Sequence, residues 1–244
     1  MNYIDTFYRR TIADAKSFSA LSGTVECDTC IIGGGLAGLT TALQLARAGQ
    51  AVVVLEAQRI GWGASGRNGG FLSPGFANDG EAIARAAGAE NPKKLHGLSI
   101  EGVRFVRDTI NELNIASAAP VNGIMSVLRY SDEQAMKQRA EYLHRTFDYP
   151  VEYMSREQVQ AKLRSERYFQ ALRDPQAFHV HPLNYLRAVA GEIGRLGGKI
   201  FESSAASSTE FSKAEKVVST DMGKVKARNV VITTGGYTSG LVGK

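Results

Sequence analysis

The sequence predicts an α/β fold, α+β overall, in which a parallel sheet flanked by helices carries an antiparallel region. Three observations point to it. Cys30-Ile31-Ile32 runs directly into Gly33-Gly34-Gly35-Leu36-Ala37-Gly38; a helical pattern follows to Ala48, then a second apolar run, Ala51–Leu55, ending at Glu56. From Pro120 the chain changes to short alternating elements, and Asn229–Thr234 is a further apolar run stopped by Gly235-Gly236. Strand, glycine turn, helix, second strand and acid at this spacing make a Rossmann-like nucleotide-binding half. The expected organisation is a nucleotide-binding domain at 1–118 and 177–244, interrupted at 119–176 by an inserted antiparallel region.

Each part of the motif has a physical task. Gly33 permits the tight turn, Gly35 lets the backbone approach a pyrophosphate, and Gly38 allows close packing of helix on strand. The first helical residues, Leu36 and Ala37, offer unpaired N–H groups and a partial positive charge to a phosphate. Along the helix Leu39, Ala42, Leu43 and Ala46 form the apolar stripe expected against a sheet. Ala51–Leu55 is apolar without alternation, the signature of a strand covered on both faces. Glu56, at its end, can accept hydrogen bonds from both hydroxyls of a ribose and would repel a 2′-phosphate, which favours FAD or NAD over NADP.

Composition bounds the rest. The 244 residues are 43% hydrophobic, enough for a sizeable core, and 29 Lys+Arg against 24 Asp+Glu give a net charge of +5. The basic residues are dispersed along the chain, so no nucleic-acid footprint is expected. Asp5, Arg9, Arg10, Asp14 and Lys16 interrupt any apolar signal core near the start, and no apolar run reaches the length of a membrane span; the expected location is cytoplasmic. Cys27-Asp28-Thr29-Cys30 has dithiol spacing, but no second pair accompanies it and the helix begins only after the glycines. Residues three apart on a strand face opposite ways, so these two are read as buried and structural.

Ala57–Phe76 is a long stretch rich in glycine that also carries Arg59, Trp62, Ala64, Ser65, Arg67 and Asn68. A flexible linker would seldom interleave such residues, and a backbone cradle around a large flat ligand accounts for them better. Across Asp28–Phe71, and above all over Glu56-Ala57-Gln58-Arg59-Ile60-Gly61-Trp62-Gly63-Ala64-Ser65-Gly66-Arg67-Asn68-Gly69-Gly70, the chain resembles the D-amino-acid oxidase, glycine oxidase and sarcosine oxidase superfamily. Within it the likeness is to gamma-glutamylputrescine oxidase-like enzymes. The resemblance implies FAD as cofactor, with Ala57, Ala64, Ser65, Arg67, Asn68, Gly69 and Gly70 along its pyrophosphate and ring and Arg59 near the adenosine end. It further implies that the backbone at Ala206 meets the adenine and that Thr234 and Gly235 approach the cofactor after the last strand.

The remaining elements follow in order. Asp79–Leu113 is helical in pattern, with Asn91 as cap, Pro92 in the first helical position and Leu95, Leu98, Phe105, Val106, Ile110 and Leu113 at helical spacing; His96 is read as a surface or packing histidine. Next come a strand near Ile124–Tyr130, a helix capped by Ser131 with Gln134, a strand near Val151–Met154 and a helix capped by Ser155 with Gln158. Ala171–Pro175 and Phe178–Leu183 lead back to the first domain, Pro182 opening a helix that Gly197 ends. His179 and His181 form H-x-H without companion ligands, so no metal site is assigned. Lys199–Ser203, Glu210–Phe211, Val217–Thr220 and Val225–Lys226 read as an antiparallel meander.

The resemblance implies oxidation of a C–N bond in an amine or amino acid by hydride transfer to flavin N5, with oxygen or another acceptor taking the electrons. No catalytic side chain is assigned, because the flavin carries the chemistry. The resembled enzymes continue well past 244 residues. The chain is therefore expected to be the N-terminal part of such an enzyme or a FAD-binding subunit, with a homo-oligomer or a complementing chain as partner.

Overall fold

A computed structural model describes residues 2–78, 80–88, 90–211, 214–238 and 241. The chain forms two compact units, Met1–Gly69 with His181–Lys244, and Gly70–Val180.

The first unit opens with a short helix α1 (Phe7–Arg10), then β1 (Gly23–Ile32), α2 (Leu36–Arg47) and β2 (Val52–Leu55). β1 and β2 pair in parallel, Thr29 against Val52 through Ile32 against Leu55, with α2 as the crossover. The four residues of β2 are all buried, as the unalternating sequence requires, and Leu39, Ala42, Leu43 and Ala46 are the buried stripe of α2.

The second unit comprises β3 (Phe71–Leu72), α3 (Gly80–Ala87), α4 (Asn91–Glu112), β4 (Val121–Val127), α5 (Glu133–Phe147), β5 (Glu152–Met154), α6 (Arg156–Leu163) and β6 (Ala171–His179). β6 is central, pairing antiparallel with β3, β4 and β5. Gly123, at φ +88°, sits where the β4–β6 register shifts, a bulge that suits a residue without Cβ. The predicted division placed 70–118 in the first unit; these helices belong to the second, because α4 packs against both α3 and α5. Asp79, the predicted start of the helical stretch, lies outside the described residues.

Caps differ from expectation in two places. Glu90 precedes α4 and Asn91 is its first residue, its amide donating back to Ala87 O. Asp132, not Ser131, caps α5 by accepting the Ala135 N–H at 3.0 Å, a carboxylate being the stronger acceptor for a helix N-terminus. Ser155 and Gln158 do form the reciprocal capping box of α6.

Returning to the first unit, α7 (Pro182–Arg195) precedes β7 (Lys199–Phe201), β8 (Ser208–Glu210), β9 (Lys216–Ser219) and β10 (Gly223–Ile232). The sheet order is β7-β2-β1-β10-β9-β8. β7 therefore leaves the predicted meander and extends the parallel set, pairing with β2 from Val53–Lys199 to Leu55–Phe201. The two predicted runs at 225–226 and 229–234 merge into one strand, β10, parallel to β1 on one side and antiparallel to β9 on the other. His181 caps α7, its Nδ1 accepting the Asn184 N–H at 3.1 Å.

Cys27 and Cys30 depart from strict alternation. Both Asp28 N and Thr29 N donate to Ala51 O, at 2.9 and 3.2 Å, a bulge that shifts the pleat by one residue. Cys27 thus packs against the same apolar cluster that buries Cys30, Val53 and Ala227. The expected divergence of the two sulfurs is corrected, yet both thiols are free. Burial raises the Cys30 thiol strongly and pushes Cys27 up to about 11 from an ordinary 9.0. A raised thiol pKa leaves little thiolate, the nucleophilic form, at neutral pH.

One buried carboxylate gathers the first unit. Glu202 is 1% exposed; Oε1 accepts the Ile60 N–H at 2.8 Å, Oε2 accepts the Phe18 N–H at 3.0 Å, and Arg59 Nε lies 2.7 Å from Oε2. Arg187 Nη1 is 3.6 Å away from Oε1 and donates to Tyr3 Oη, which in turn donates to Ile60 O at 2.8 Å.

Glu202→Gln would leave the Arg59 and Arg187 guanidinium groups without their buried counter-charge, and is expected to lower unfolding stability by about 3–5 kcal/mol in denaturant titration. For the cysteines, alkylation of the folded chain at pH 8 is expected to be slow, reaching ordinary thiol rates only after unfolding. Because both folded pKa values lie above the unfolded one, the thiol contribution to stability is intact below pH 9 and falls as pH rises beyond it; alkaline melting curves of the Cys27→Ser, Cys30→Ser variant, with a flatter decline, would show this.

Candidate cofactor site

β1 and β2 end side by side, and the turn after β1 is held by Gly33 N donating to Leu55 O at 2.8 Å. Gly33 has φ +115°, and a Cβ there would meet Thr233 O and Oγ1 at 2.9 Å. A Cβ on Gly38 would lie 2.0 Å from Gly33 O, so helix and turn touch backbone to backbone. The motif's spacing is thus a packing requirement. Thr233, just beyond β10, closes the far side by donating from Oγ1 to Ile32 O at 2.9 Å.

Around this turn lies a cavity of about 490 Å³ within the first unit. Gly33, Gly35, Glu56, Ala57, Ala64 and Ser65 line it, as do Ala206, Thr234 and Gly235, which the structure brings to the same cavity from the other end of the sequence. Ala206 arrives because the chain after β7 is tied to the end of β2: Ser204 N donates to Glu56 O at 2.9 Å and Ser203 N to Gln58 O at 3.0 Å.

Glu56 is fixed in the wall. Oε2 accepts the Gly34 N–H at 2.7 Å and Oε1 accepts the Gln58 N–H at 2.8 Å. Each carboxylate oxygen can accept two hydrogen bonds, so one site per oxygen is left for a pair of ribose hydroxyls. Burial holds its pKa above the usual carboxylate range, with the backbone donors opposing and the charge of Glu202 adding to the rise.

Ser65 stands in a 3-10 turn over Ala64–Gly66, and its Oγ accepts the Leu36 N–H at 3.0 Å. An oxygen acceptor therefore already occupies the mouth of the α2 N-terminus, the place where a phosphate oxygen fits. At Gly35 a Cβ would come 2.9 Å from Ser65 Oγ, so a side chain there would displace the Ser65 hydroxyl from the Leu36 N–H. Glycine cradle, oxygen-accepting helix start and diol-compatible acid together fit a dinucleotide.

Other predicted residues lie elsewhere. Arg59 is engaged with Glu202, stacks on Tyr3 at 5.0 Å and donates to Ala15 O and Lys16 O, so its guanidinium belongs to the structural network and not to the cavity lining. Leu36, Ala37 and Gly38 form the first turn of α2 without lining the cavity. Arg67 stacks over Trp62 at 5.0 Å, and Asn68 ties its amide to Ala64 O and Ser65 O, so Arg67, Asn68 and Gly69 secure the loop's exit. Gly70 belongs to the second unit.

Sequence reasoning missed Gln58, Trp62, Gly63, Ala205, Thr233 and Tyr237 among the lining residues. Trp62 and Gly63 stood inside the glycine-rich stretch and could have been named from it, whereas Ala205 and Tyr237 carry no local signal. Among the described residues no group of three or more His, Cys, Asp or Glu could hold a metal ion, and no helix is long and apolar enough to cross a membrane.

Residues 28–244 match the family described as DAO, FAD dependent oxidoreductase. The chain is 32% identical over 235 residues to gamma-glutamylputrescine oxidoreductase of Escherichia coli (strain K12), covering 96% of this chain and 55% of the relative. It is 28% identical to the probable oxidoreductase OrdL of Rhizobium meliloti (strain 1021), over 97% of this chain and 55% of that one. The chain thus spans about half the length of these relatives. Among solved structures, L-amino acid deaminase from Proteus myxofaciens superposes with a TM-score of 0.73 at 23% identity, over 93% of this chain and 48% of that one; glycine oxidase from Bacillus cereus ATCC 14579 gives 0.68 at 24%, over 88% and 57%. These likenesses show the fold. With the glycine turn, the Glu56 wall and the returning Ala206 and Gly235 all in one cavity, the chain belongs to the DAO family of FAD-dependent oxidoreductases.

Proposed function

We propose that this chain binds FAD in the cavity of its first unit and takes part in oxidising the C–N bond of a small amine or amino acid. The observation that carries the reading is Glu56, oriented by the Gly34 and Gln58 N–H groups at the end of β2 and set in the same wall as the glycine turn. Glu56 would hold the ribose hydroxyls, the α2 N-terminus with Ser65 the pyrophosphate, and Ala206 the adenine. Thr234, Gly235 and the 64–69 loop would flank the remainder, with Arg67, Asn68 and Gly69 toward the ring. The first unit is then the FAD-binding domain and the second the start of a substrate domain.

Bound FAD supplies a two-electron acceptor for the hydride on the carbon beside the amine nitrogen; the imine so formed is hydrolysed by water. The protein's part is to hold the substrate carbon near that acceptor, with the amine neutral. Oxygen, reduced to peroxide, is the acceptor this reading favours for reoxidation. A second reading, supported by the chain's span of about half its relatives, is a FAD-binding portion that oxidises amines only with a complementing polypeptide or in an oligomer.

Trp62, the sole tryptophan, lines the cavity and gives a direct readout. FAD titration is expected to quench its emission; Glu56→Ala should weaken binding by the roughly 1.5–3 kcal/mol typical of hydrogen bonds to a charged group, and NADP should leave the emission unchanged. Unaltered emission with FAD would refute the cofactor assignment. Turnover is tested by supplying FAD and a panel containing gamma-glutamylputrescine, sarcosine and D-amino acids, with peroxide detection in parallel with an artificial dye acceptor. Peroxide formation supports an oxidase, dye reduction alone a dehydrogenase, and FAD binding without either the second reading.

A further inference from the structure

The second unit encloses a cavity of its own, about 640 Å³, that shares no lining residue with the one around Glu56. It lies against one face of β4 and β6, which supply Ile124, Ser126, Leu172 and Asp174, and is walled by α4 and α5. Among the described residues its lining carries one acid and one cation. Asp174, the acid, is held by its own unit: the Tyr149 hydroxyl lies between its two oxygens, at 2.9 and 2.8 Å, and Oδ1 also accepts the N–H groups of Gln176 and Ala177. Arg139, a solvent-exposed residue of α5, lines the rim of the same cavity and among the described residues has no acidic partner; its guanidinium hangs 5.9 Å over the Tyr142 ring.

Apolar surface surrounds that cation. Phe76 and Tyr142, both in the lining, are 52% and 41% exposed, so their rings are open to a ligand entering the cavity. Deeper in, His96 stacks on Phe147 with centroids 4.2 Å apart and meets Tyr149 edge-on at 5.6 Å. The residue is 7% exposed, and its Nε2 is buried without a hydrogen-bond partner, a state that costs free energy until a partner is found. A concave, aromatic-walled space with one unpaired cation and one unsatisfied imidazole nitrogen is the arrangement that small-molecule sites favour.

We infer that the second unit carries a binding site for a small carboxylate with an aromatic or otherwise flat apolar body, its carboxylate paired to Arg139 and its body stacked among Phe76, Tyr142 and Phe147. The carboxylate edge would also give His96 Nε2 the partner it lacks once the stacked Phe147 ring yields. The site stands independently of the amine oxidation proposed above, since no residue of the flavin cavity enters it.

Phenylacetate is a suitable probe, titrated calorimetrically into the full chain with the neutral isostere phenylacetamide in parallel. Saturable binding is expected below about 10 mM, with phenylacetamide weaker by about tenfold or more, the loss of one charged contact. Arg139→Met should weaken phenylacetate by a similar factor, Arg139→Lys less, and Lys162→Met, a cation on α6 outside the cavity, not at all. Trp62 emission should stay constant throughout. The inference is overturned by absence of binding, by equal affinity for acid and amide, by equal affinity of the Arg139→Met and Lys162→Met variants, or by a Trp62 response placing the probe in the flavin cavity. Should Arg139→Met fail to fold, as circular dichroism would reveal, the acid–amide comparison on the unaltered chain still decides.

Discussion

Glu202 is the point through which the first unit is held together. A buried carboxylate is tolerated only when its charge and lone pairs are answered, and here two arginines and two backbone N–H groups answer them from separate stretches of chain. The N-terminal segment at Phe18, the loop at Arg59–Ile60, helix α7 at Arg187 and the end of β7 all converge on it. Because Ile60 is pinned, the loop after Glu56 cannot drift, and the cavity keeps the wall that Gln58 and Gly61–Ser65 provide.

The second constraint is the close approach at the glycine turn. Gly38 against the Gly33 carbonyl and Gly33 against Thr233 place α2, β1 and the segment after β10 within backbone contact. This aims the helix N-terminus into the cavity and brings Thr234 and Gly235 to its edge. A dinucleotide pocket built this way is largely preformed: Glu56 has its orientation from two N–H donors, and Ser65 already answers the first free N–H of α2. Preorganised polar groups of this kind reduce the ordering that binding must otherwise impose.

The second unit is organised differently. Its sheet centres on β6, and its satisfied polar element is Asp174, which binds Tyr149 and the turn that follows it. Beside that acid, His96 keeps a buried ring nitrogen without a hydrogen-bond partner, and the exposed Arg139 has no acidic partner among the described residues. The two units thus use charge in different settings: in the first, buried charges close a structural network, and in the second a solvent-exposed arginine stands at the rim of a cavity.

The sequence by itself determined the nucleotide-binding half, because its signals are local. Gly33, Gly35 and Gly38 at fixed spacing, the unalternating Val52–Leu55 and the acid at the strand end each encode a short-range geometric demand, and Ser155 with Gln158 encodes a capping box in the same way. Tertiary structure decided whatever depends on partners far along the chain. Lys199–Phe201 looked like part of a meander and became a parallel strand, because the exposed edge of β2 offered it a ladder. Cys27 and Cys30 came to one face because Ala51 O accepts from two successive N–H groups. Arg59 pairs with Glu202, whose position after β7 no local pattern reveals, since an isolated carboxylate in sequence gives no sign of the charges that folding will gather around it.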